Sequence, residues 1–157
     1  GRGRQMDLAK KYGITDYASP AGGCLFTDTF IAPRVRDLLE HQPDVTSDDI
    51  FLQTVGRHFR LSDSFRIVVS RNQSENLILE KFKNTADKFF IPDFRGPHIL
   101  GWGNPSTYEI EMTGRIMARY GKKEDVRTMQ VTGRNGSAEK CEVLTPVEDK
   151  DLVQYRI

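Results

Sequence analysis

The sequence predicts an α+β fold in which helices flank a small mixed sheet, and three observations support it. Residues 65–69 (FRIVV) form a short apolar run rich in β-branched side chains, which is typical of a strand buried on both faces. Asn72 then offers a capping oxygen, and Glu75 stands at the spacing that closes a capping box at a helix start. Asn135-Gly136 is the strongest short signal for a tight β-hairpin.

The other elements follow from hydrophobic periodicity and from residues that start or stop helices. Ser47 is the predicted cap of one helix, because Asp48 and Asp49 follow it in the first turn. A change in character near residue 45 predicts two units, residues 1–44 and residues 45–157. Helices are predicted over 3–12, 32–41, 48–55, 72–83 and from Pro105 or Ser106 to Tyr120, and strands over 58–61, 65–69, 88–91, 98–101, 126–132 and 140–144.

Composition and cysteine usage are those of an ordinary globular protein. Of the 157 residues, 38% are hydrophobic and 29% are charged, and the formal net charge is +1. No apolar run is long enough to span a bilayer, and the N-terminal residues have no secretory core. Two distant cysteines without a CxxC pair exclude a zinc knuckle or a disulfide framework. We therefore expect a cytoplasmic protein that has no membrane partner.

The turn between the strand at 65–69 and the following helix is a candidate anion site. Arg71 and Asn72 occupy that turn, and the N-terminus of a helix attracts negative charge. The alternative is that Asn72 and Glu75 only cap the helix, while Arg71 is a solvated loop residue.

Cys24 is a candidate nucleophile. Two glycines, Gly22 and Gly23, precede it and leave its thiol accessible, and Arg34 and Arg36 follow nearby. Such surroundings can lower the pKa of a thiol from its free value of about 8.5. The alternative is a small buried hydrophobic residue in a glycine-rich turn. No metal site is expected, since no cysteine or acidic residue stands at ligand spacing from His58.

Two segments near the N-terminus resemble the end of the PP-loop ATPase domain of tRNA 2-thiouridylases. Residues 4–14 (RQMDLAKKYGI) fit the family's helix, and residues 19–25 (SPAGGCL) fit its loop of the form S-x-G-x-C. The resemblance implies that Cys24 is a sulfur-handling thiol. The family usually has Gly-Ile-Cys-Phe here, whereas Gly-Gly-Cys-Leu is similar to a divergent, thiouridylase-like branch.

A second resemblance concerns the turn at Val69-Ser70-Arg71-Asn72, together with Glu75-Asn76, Asp93 and Gly96-Pro97. It is similar to the RNA-binding NFACT-R domain, which carries a G-R-N-x-x-E-N turn after a strand. Ser70 replaces the glycine, and the family's Trp-Phe-His segment is missing. The resemblance is to the NFACT-R-like domain that is fused behind PP-loop thiouridylase-like proteins, and it covers most of residues 50–157.

Together the resemblances imply the C-terminal region of an ATP-dependent tRNA thiolation enzyme, in which residues 1–44 end a PP-loop domain and residues 45–157 form an RNA-binding domain. The family's S-G-G-x-D-S loop is absent from this sequence, so ATP is expected in an upstream domain. The chain is then not catalytic alone and carries no cofactor of its own. The implied partners are tRNA and a sulfur-donor protein. The residues expected to contact RNA are Arg57, Arg60, Arg66, Arg71, Asn72 and Arg95.

Two other functions remain open. One is a protein-interaction module that docks a sulfur carrier and binds no RNA; its binding would depend little on salt, unlike RNA binding. The other is an independent thiol enzyme in which Cys24 acts with His41 or His58, although no complete acid–base set accompanies the cysteine.

Overall fold

The computed structural model describes Asp7, Lys11, Gly13 and residues 25–157. Of the helix predicted over 3–12, only Asp7 and Lys11 are described, and both are helical. Cys24 and most of the PP-loop-like segments lie outside the described residues.

Residues 25–157 contain five α-helices and six strands, most of them close to the predicted positions. The helices are α1 (Ile31–His41), α2 (Ser47–Leu52), α3 (Gln73–Lys81), α4 (Thr107–Tyr120) and α5 (Asp149–Leu152). The strands are β1 (Arg57–Ser62), β2 (Phe65–Val69), β3 (Lys88–Pro92), β4 (Ile99–Gly103), β5 (Thr128–Gly133) and β6 (Ala138–Glu142). Short 3-10 turns cover Leu25–Thr27, Lys83–Thr85 and Val153–Tyr155.

The strands form one six-stranded sheet in the order β1-β2-β4-β3-β5-β6, and every pairing is antiparallel. The α+β class is confirmed, but the sheet predicted as mixed contains no parallel pair. The reason lies in the unit β2-α3-β3, which runs as a crossover that would normally pair its strands in parallel. Here β4 lies between β2 and β3 and pairs antiparallel with both.

Strand β2 lies inside the sheet, between β1 and β4, as predicted. All five of its residues are buried, because helices cover both faces of the sheet. Phe65, Ile67 and Val69 pack on one side in a cluster that includes Ile116 of α4. Val68 points to the other side and packs in a second cluster with Leu79 of α3. The alternation of side chains along one strand thus supplies both cores.

The helix starts agree with the sequence with one exception. Asn72 caps α3 by accepting a hydrogen bond from the backbone N–H of Glu75 at 3.0 Å, which confirms the predicted cap. The cap of α2 is Thr46, not Ser47 as predicted, and it forms a capping box with Asp49. Thr46 is the cap because the partner in a capping box stands three residues after the cap, and Asp49 supplies a carboxylate at that position.

Helix α1 is bound to the sheet domain by polar contacts. Asp37 accepts three hydrogen bonds from the guanidinium of Arg60 on β1, at 2.8 to 3.1 Å. Arg34 donates from Nη1 to the carbonyl oxygen of Gln53 at 2.9 Å. The division at residues 44 and 45 stays a prediction, but these contacts cross it.

The two edges of the sheet differ. Beside β1, Phe59 forms a bridge with Arg156, and the backbone N–H of Ile157 donates to the carbonyl oxygen of His58. At the other edge, β6 exposes Glu139, Lys140 and Glu142.

Candidate nucleic-acid interface

The candidate site begins at the turn that joins β2 to α3. The carboxylate of Glu75 accepts a hydrogen bond from the backbone N–H of Arg71 at 2.7 Å, and others from its Nε at 3.0 Å and its Nη2 at 2.6 Å. The predicted capping box would have placed that carboxylate on the backbone of Asn72, so this detail is corrected. Glu75 reaches one residue further back because the guanidinium of Arg71 draws it there.

Glu75 is also bound by the residue that precedes β1. The backbone N–H of Gly56 donates to its Oε1 at 3.3 Å. Gly56 has a φ of 71°, and a Cβ there would lie 2.6 Å from the carbonyl oxygen of Val69, so only glycine fits. Burial alone would raise the pKa of Glu75, but the hydrogen bonds from Arg71 and Gly56 outweigh it and leave the pKa below its ordinary value.

The result is an arginine that is fixed and still accessible. The side chain of Arg71 keeps 48% of its surface exposed, while that of Glu75 keeps 10%. The hydrogen bond to Glu75 raises the pKa of Arg71, so the guanidinium stays charged. A cation whose position is set by a buried carboxylate loses little rotamer freedom when it binds an anion.

A hydrogen-bonded cluster behind the turn joins it to β4. The backbone N–H of His98 donates to Ser70 Oγ and to Asn76 Oδ1, each at 3.0 Å. The hydroxyl of Ser70 also donates to Asn76. Ser70 and Asn76 are buried, so their part in the motif is structural. Ser70 stands where the NFACT-R pattern has glycine, and its hydroxyl supplies a bond that glycine could not.

A row of basic and aromatic side chains continues from Arg71 across the surface. Arg57 donates from Nη1 to the carbonyl oxygen of Ser70 at 3.2 Å, and its guanidinium carbon lies 4.2 Å from the centre of the Tyr120 ring. The backbone N–H of Lys122 donates to the carbonyl oxygen of Arg95 at 2.7 Å. The side chains of Arg95 and Lys122 are exposed. We call this surface the basic strip; it consists of Arg57, Arg71, Arg95, Tyr120 and Lys122.

Arg34 is a further cation beside the turn, and the sequence linked it only to Cys24. Burial and the nearby charge of Arg71 lower the pKa of Arg34, while Asp28 and Glu75 oppose that change. The two arginines are therefore close enough to repel each other. Only the packing of α1 against the domain brings Arg34 to this turn, and no local pattern in the sequence indicates it.

Arg60 and Arg66 do not join the basic strip. Arg60 is engaged by Asp37, and each of these two side chains keeps only 15% of its surface exposed. Arg66 is 4% exposed and lies over the ring of Trp102, on the face of the sheet that α2 and α3 cover. Both side chains lie apart from Arg71. Their contacts with RNA therefore stay predictions.

The two histidines considered as partners of Cys24, His41 and His58, both bind backbone carbonyl groups. His58 is buried, and its Nε2 donates to the carbonyl oxygen of Val55 at 2.7 Å. Burial, together with the charge of Arg34, lowers the pKa of His58 to about 3. His41 binds the backbone of Asp37 within its own helix. Cys141 on β6 is a free thiol, and burial followed by the charge of Glu139 raises its pKa.

The described residues contain no group of three or more His, Cys, Asp or Glu side chains placed to hold a metal ion. Their helices are also too short or too polar to cross a bilayer.

The fold and the site define the chain as an α+β domain on an antiparallel sheet that presents arginines at a strand–turn–helix junction. Residues 56–156 match the NFACT protein RNA binding domain. Because that match covers well over half of the sequence, the chain belongs to this family, and RNA is its supported class of partner.

A solved structure shows the same fold. It is the C-terminal part of the fibronectin/fibrinogen-binding protein from Streptococcus suis, with a TM-score of 0.53 and 19% sequence identity. The match covers 83% of this chain and 62% of that one, so the present chain spans less than two thirds of the solved chain. A comparison with curated proteins finds no match.

Proposed function

We propose that the chain binds single-stranded or looped RNA through the basic strip. The observation that carries this proposal is the fixed, half-exposed guanidinium of Arg71 beside the N-terminus of α3. Arg57 is held between the carbonyl of Ser70 and the ring of Tyr120, so a second cation is positioned. Among residues 25–157 it has no acidic partner. Phosphates take charge-assisted hydrogen bonds from such arginines, which position the nucleic acid.

The aromatic member of the strip suits RNA rather than a simple polyanion. Tyr120 is half-buried at the end of α4, where its ring packs on the core and remains partly open. Unpaired bases of RNA stack on aromatic rings and on arginine planes, whereas bases within a duplex are not available for stacking. The strip therefore favours loops and single strands.

A finer hypothesis makes the RNA a tRNA and places the domain in an ATP-dependent thiolation enzyme. It rests on the resemblance of residues 4–25 to PP-loop thiouridylases, with Cys24 as the sulfur-handling thiol and ATP bound upstream. The family match begins at residue 56 and does not reach that segment. Loss of tRNA thiolation on changing Cys24 to serine in the full-length protein, with RNA binding retained, is the result that this hypothesis requires.

A protein-docking module is the second candidate, and one surface favours it. Phe26, Phe30 and Leu39 expose 54%, 74% and 60% of their surface on and before α1. Phe26 and Leu39 line a shallow hollow with Ala32 and Val35. Apolar surface of this kind attracts protein partners, and the attraction depends little on salt.

The test is RNA binding over a range of salt concentrations. Arg71→Ala should weaken binding to an unstructured oligoribonucleotide and reduce the slope of log affinity against log salt by about one. Lys150→Ala is the matched control, because Lys150 pairs with Glu148 in the charge-balanced C-terminal segment. Equal affinities of the wild type and Arg71→Ala at low salt would contradict the proposed site. Absence of RNA binding by the wild type at low salt would favour the protein-docking module.

A further inference from the structure

A cavity of about 650 Å³ lies on the face of the sheet opposite α4. Its floor is a row of three side chains that stand opposite one another on adjacent strands: Arg60 on β1, Arg66 on β2 and Trp102 on β4. Its walls come from residues 42–49 and 84–87. A volume of this size is typical of small-ligand sites, and none of the basic strip lines it.

Gly103 closes one end of the floor. Its φ is 110°, and a Cβ there would lie 1.8 Å from the carbonyl oxygen of Ser64, so the β1–β2 hairpin presses directly on β4. The backbone N–H of Gly103 donates to Asp87 at 2.7 Å, and the indole N–H of Trp102 donates to the carbonyl oxygen of Thr85 at 3.0 Å. These two hydrogen bonds hold Trp102, on whose ring the guanidinium of Arg66 lies, in place.

Arg66 is the unusual member of the floor. Its guanidinium carbon lies 4.1 Å from the centre of the Trp102 ring, and the residue is 4% exposed. Within residues 25–157 neither Nη1 nor Nη2 has a hydrogen-bond partner. Arg60 beside it, in contrast, donates to Asp37 and to the carbonyl oxygens of Ser62 and Asp63. A buried cation without acceptors is costly, so an acceptor pair that reached these nitrogens would be bound strongly. Burial, followed by the charge of Arg60, lowers the pKa of Arg66 to about 10, which leaves it charged at neutral pH.

The rim of the cavity is acidic, whereas its floor is basic. Asp44, Asp48 and Asp63 line it, and their carboxylates take part in no hydrogen bond or ion pair among the described residues 25–157. The lining contains five aspartates and three arginines in all, so it disfavours a phosphate or another anion. A neutral ligand is required that offers two adjacent acceptors to the floor and donors to the rim.

We propose that this cavity binds a single unpaired guanine base. Guanine O6 and N7 form the acceptor pair that an arginine recognises with two hydrogen bonds, and guanine N1–H and N2–H₂ supply donors for a rim carboxylate. Adenine presents a donor next to N7 and leaves one arginine nitrogen unsatisfied. The inference rests on the proposed function in one respect, since the base would belong to the RNA held by the basic strip.

Entry of the base requires a small rearrangement. Both terminal nitrogens of Arg66 are shielded from solvent, so the side chains that cover them have to move before the base can reach them. Asp44, Asp48 and Asp63 are exposed, and these side chains can move without disturbing the core.

The test compares an oligouridylate with the same oligomer carrying one central guanosine. The wild type should bind the guanosine-containing oligomer about tenfold or more tightly, the discrimination typical of a bidentate arginine contact. Arg66→Lys keeps the charge but not the paired donors, and should abolish this preference, so that the two oligomers bind with equal affinity. Arg71→Ala should weaken both oligomers equally. Loss of all RNA binding in the wild type would refute the proposed function, whereas binding without a guanosine preference would refute only this inference.

A second measurement does not depend on the stability of any variant. Trp102 is the only tryptophan of the chain, so its fluorescence reports on the cavity directly. Guanosine monophosphate should change its emission saturably, whereas adenosine monophosphate and inorganic phosphate should not. A response to inorganic phosphate as large as that to guanosine monophosphate would overturn the assignment. A response to free guanosine monophosphate without any preference among RNAs would identify a nucleotide site independent of RNA, and would overturn the assignment to an RNA base.

Discussion

One carboxylate, that of Glu75, binds both the backbone N–H and the guanidinium of Arg71. The two residues are four positions apart in the chain, with Arg71 before the cap of α3 and Glu75 in its first turn, and this pairing fixes the path of the chain and the direction of the cation together. The RNA contact proposed for Arg71 therefore depends on Glu75, which positions the guanidinium.

Glu75→Gln tests how much the carboxylate of Glu75 contributes to the stability of this turn. The amide keeps an acceptor for Gly56 but replaces the carboxylate that binds Arg71. We expect a loss of about 1–3 kcal/mol in the free energy of unfolding, because charge-assisted bonds to a buried group are removed. Arg71→Ala should cost less, since half of that side chain is exposed. Urea denaturation of the wild type and both variants measures these losses, and a Glu75→Gln variant as stable as the wild type would show that the pairing does not contribute to stability.

The contact of Arg57 with Tyr120 predicts a second effect on RNA binding. Tyr120→Leu keeps apolar packing but removes the ring face, and should lower RNA affinity by about 0.5–1 kcal/mol as Arg57 loses its support. Tyr120→Phe is the control and should bind like the wild type. Fluorescence polarisation with a labelled oligoribonucleotide measures both. An equal loss in both variants would assign the effect to the hydroxyl group instead.

His58 should make the fold sensitive to acid. Its pKa is about 3 in the folded chain and about 6.5 when unfolded, so the unfolded state binds more protons between these values. Stability should be fully present above about pH 6.5 and fall as the pH decreases toward 3, by a total of about 5 kcal/mol from this residue.

His58→Gln is the matched test of this effect. Its amide can donate to Val55 but does not titrate. Chemical denaturation at several pH values should show a flatter profile for the variant. A profile as steep as that of the wild type would place the acid sensitivity elsewhere.

The pair Asp37–Arg60 should hold α1 on the sheet. Asp37→Asn leaves Arg60 largely buried without a counter-charge, and should destabilise the chain by about 3 kcal/mol. Adding Arg60→Met removes that charge, and the double variant should recover much of the loss. Thermal unfolding of the wild type, both single variants and the double variant completes the cycle. Additive losses would mean that the two side chains do not interact.

The two cysteines should react with a maleimide at different rates. Burial and Glu139 raise the pKa of Cys141, so its thiolate is scarce at neutral pH. Cys24 is expected from the sequence to be accessible, which makes it the faster site. Mass spectrometry of the labelled peptides after short exposure assigns the reaction. Failure of Cys24 to react would favour the buried alternative.

The sequence predicts the elements around β2 well because their signals are local. The apolar run at 65–69 and the cap at Asn72 depend on neighbours within a few residues, and both are confirmed. The antiparallel pairing of β4 between β2 and β3 could not be predicted, since it depends on contacts about thirty residues apart in the chain.

The candidate site, too, could be predicted from the sequence only where its signals are local. Arg71 could be placed at the turn from sequence, but its pairing with Glu75 and the arrival of Arg34 depend on packing. For Arg66 a signal was available: an arginine within a strand predicted to be buried on both faces must be buried too. Its stacking on Trp102 could not be predicted, because it requires the register of β2 with β4.

The contrast between the two edges of the sheet bears on self-association. Unpaired strand edges are templates on which further strands can add, which leads to aggregation. At β1 the bridge of Phe59 with Arg156 occupies that position. At β6 the exposed charged side chains of Glu139, Lys140 and Glu142 line the edge and disfavour the addition of another strand. The bridge at β1 and the charged side chains of β6 thus oppose strand addition at both edges of the sheet.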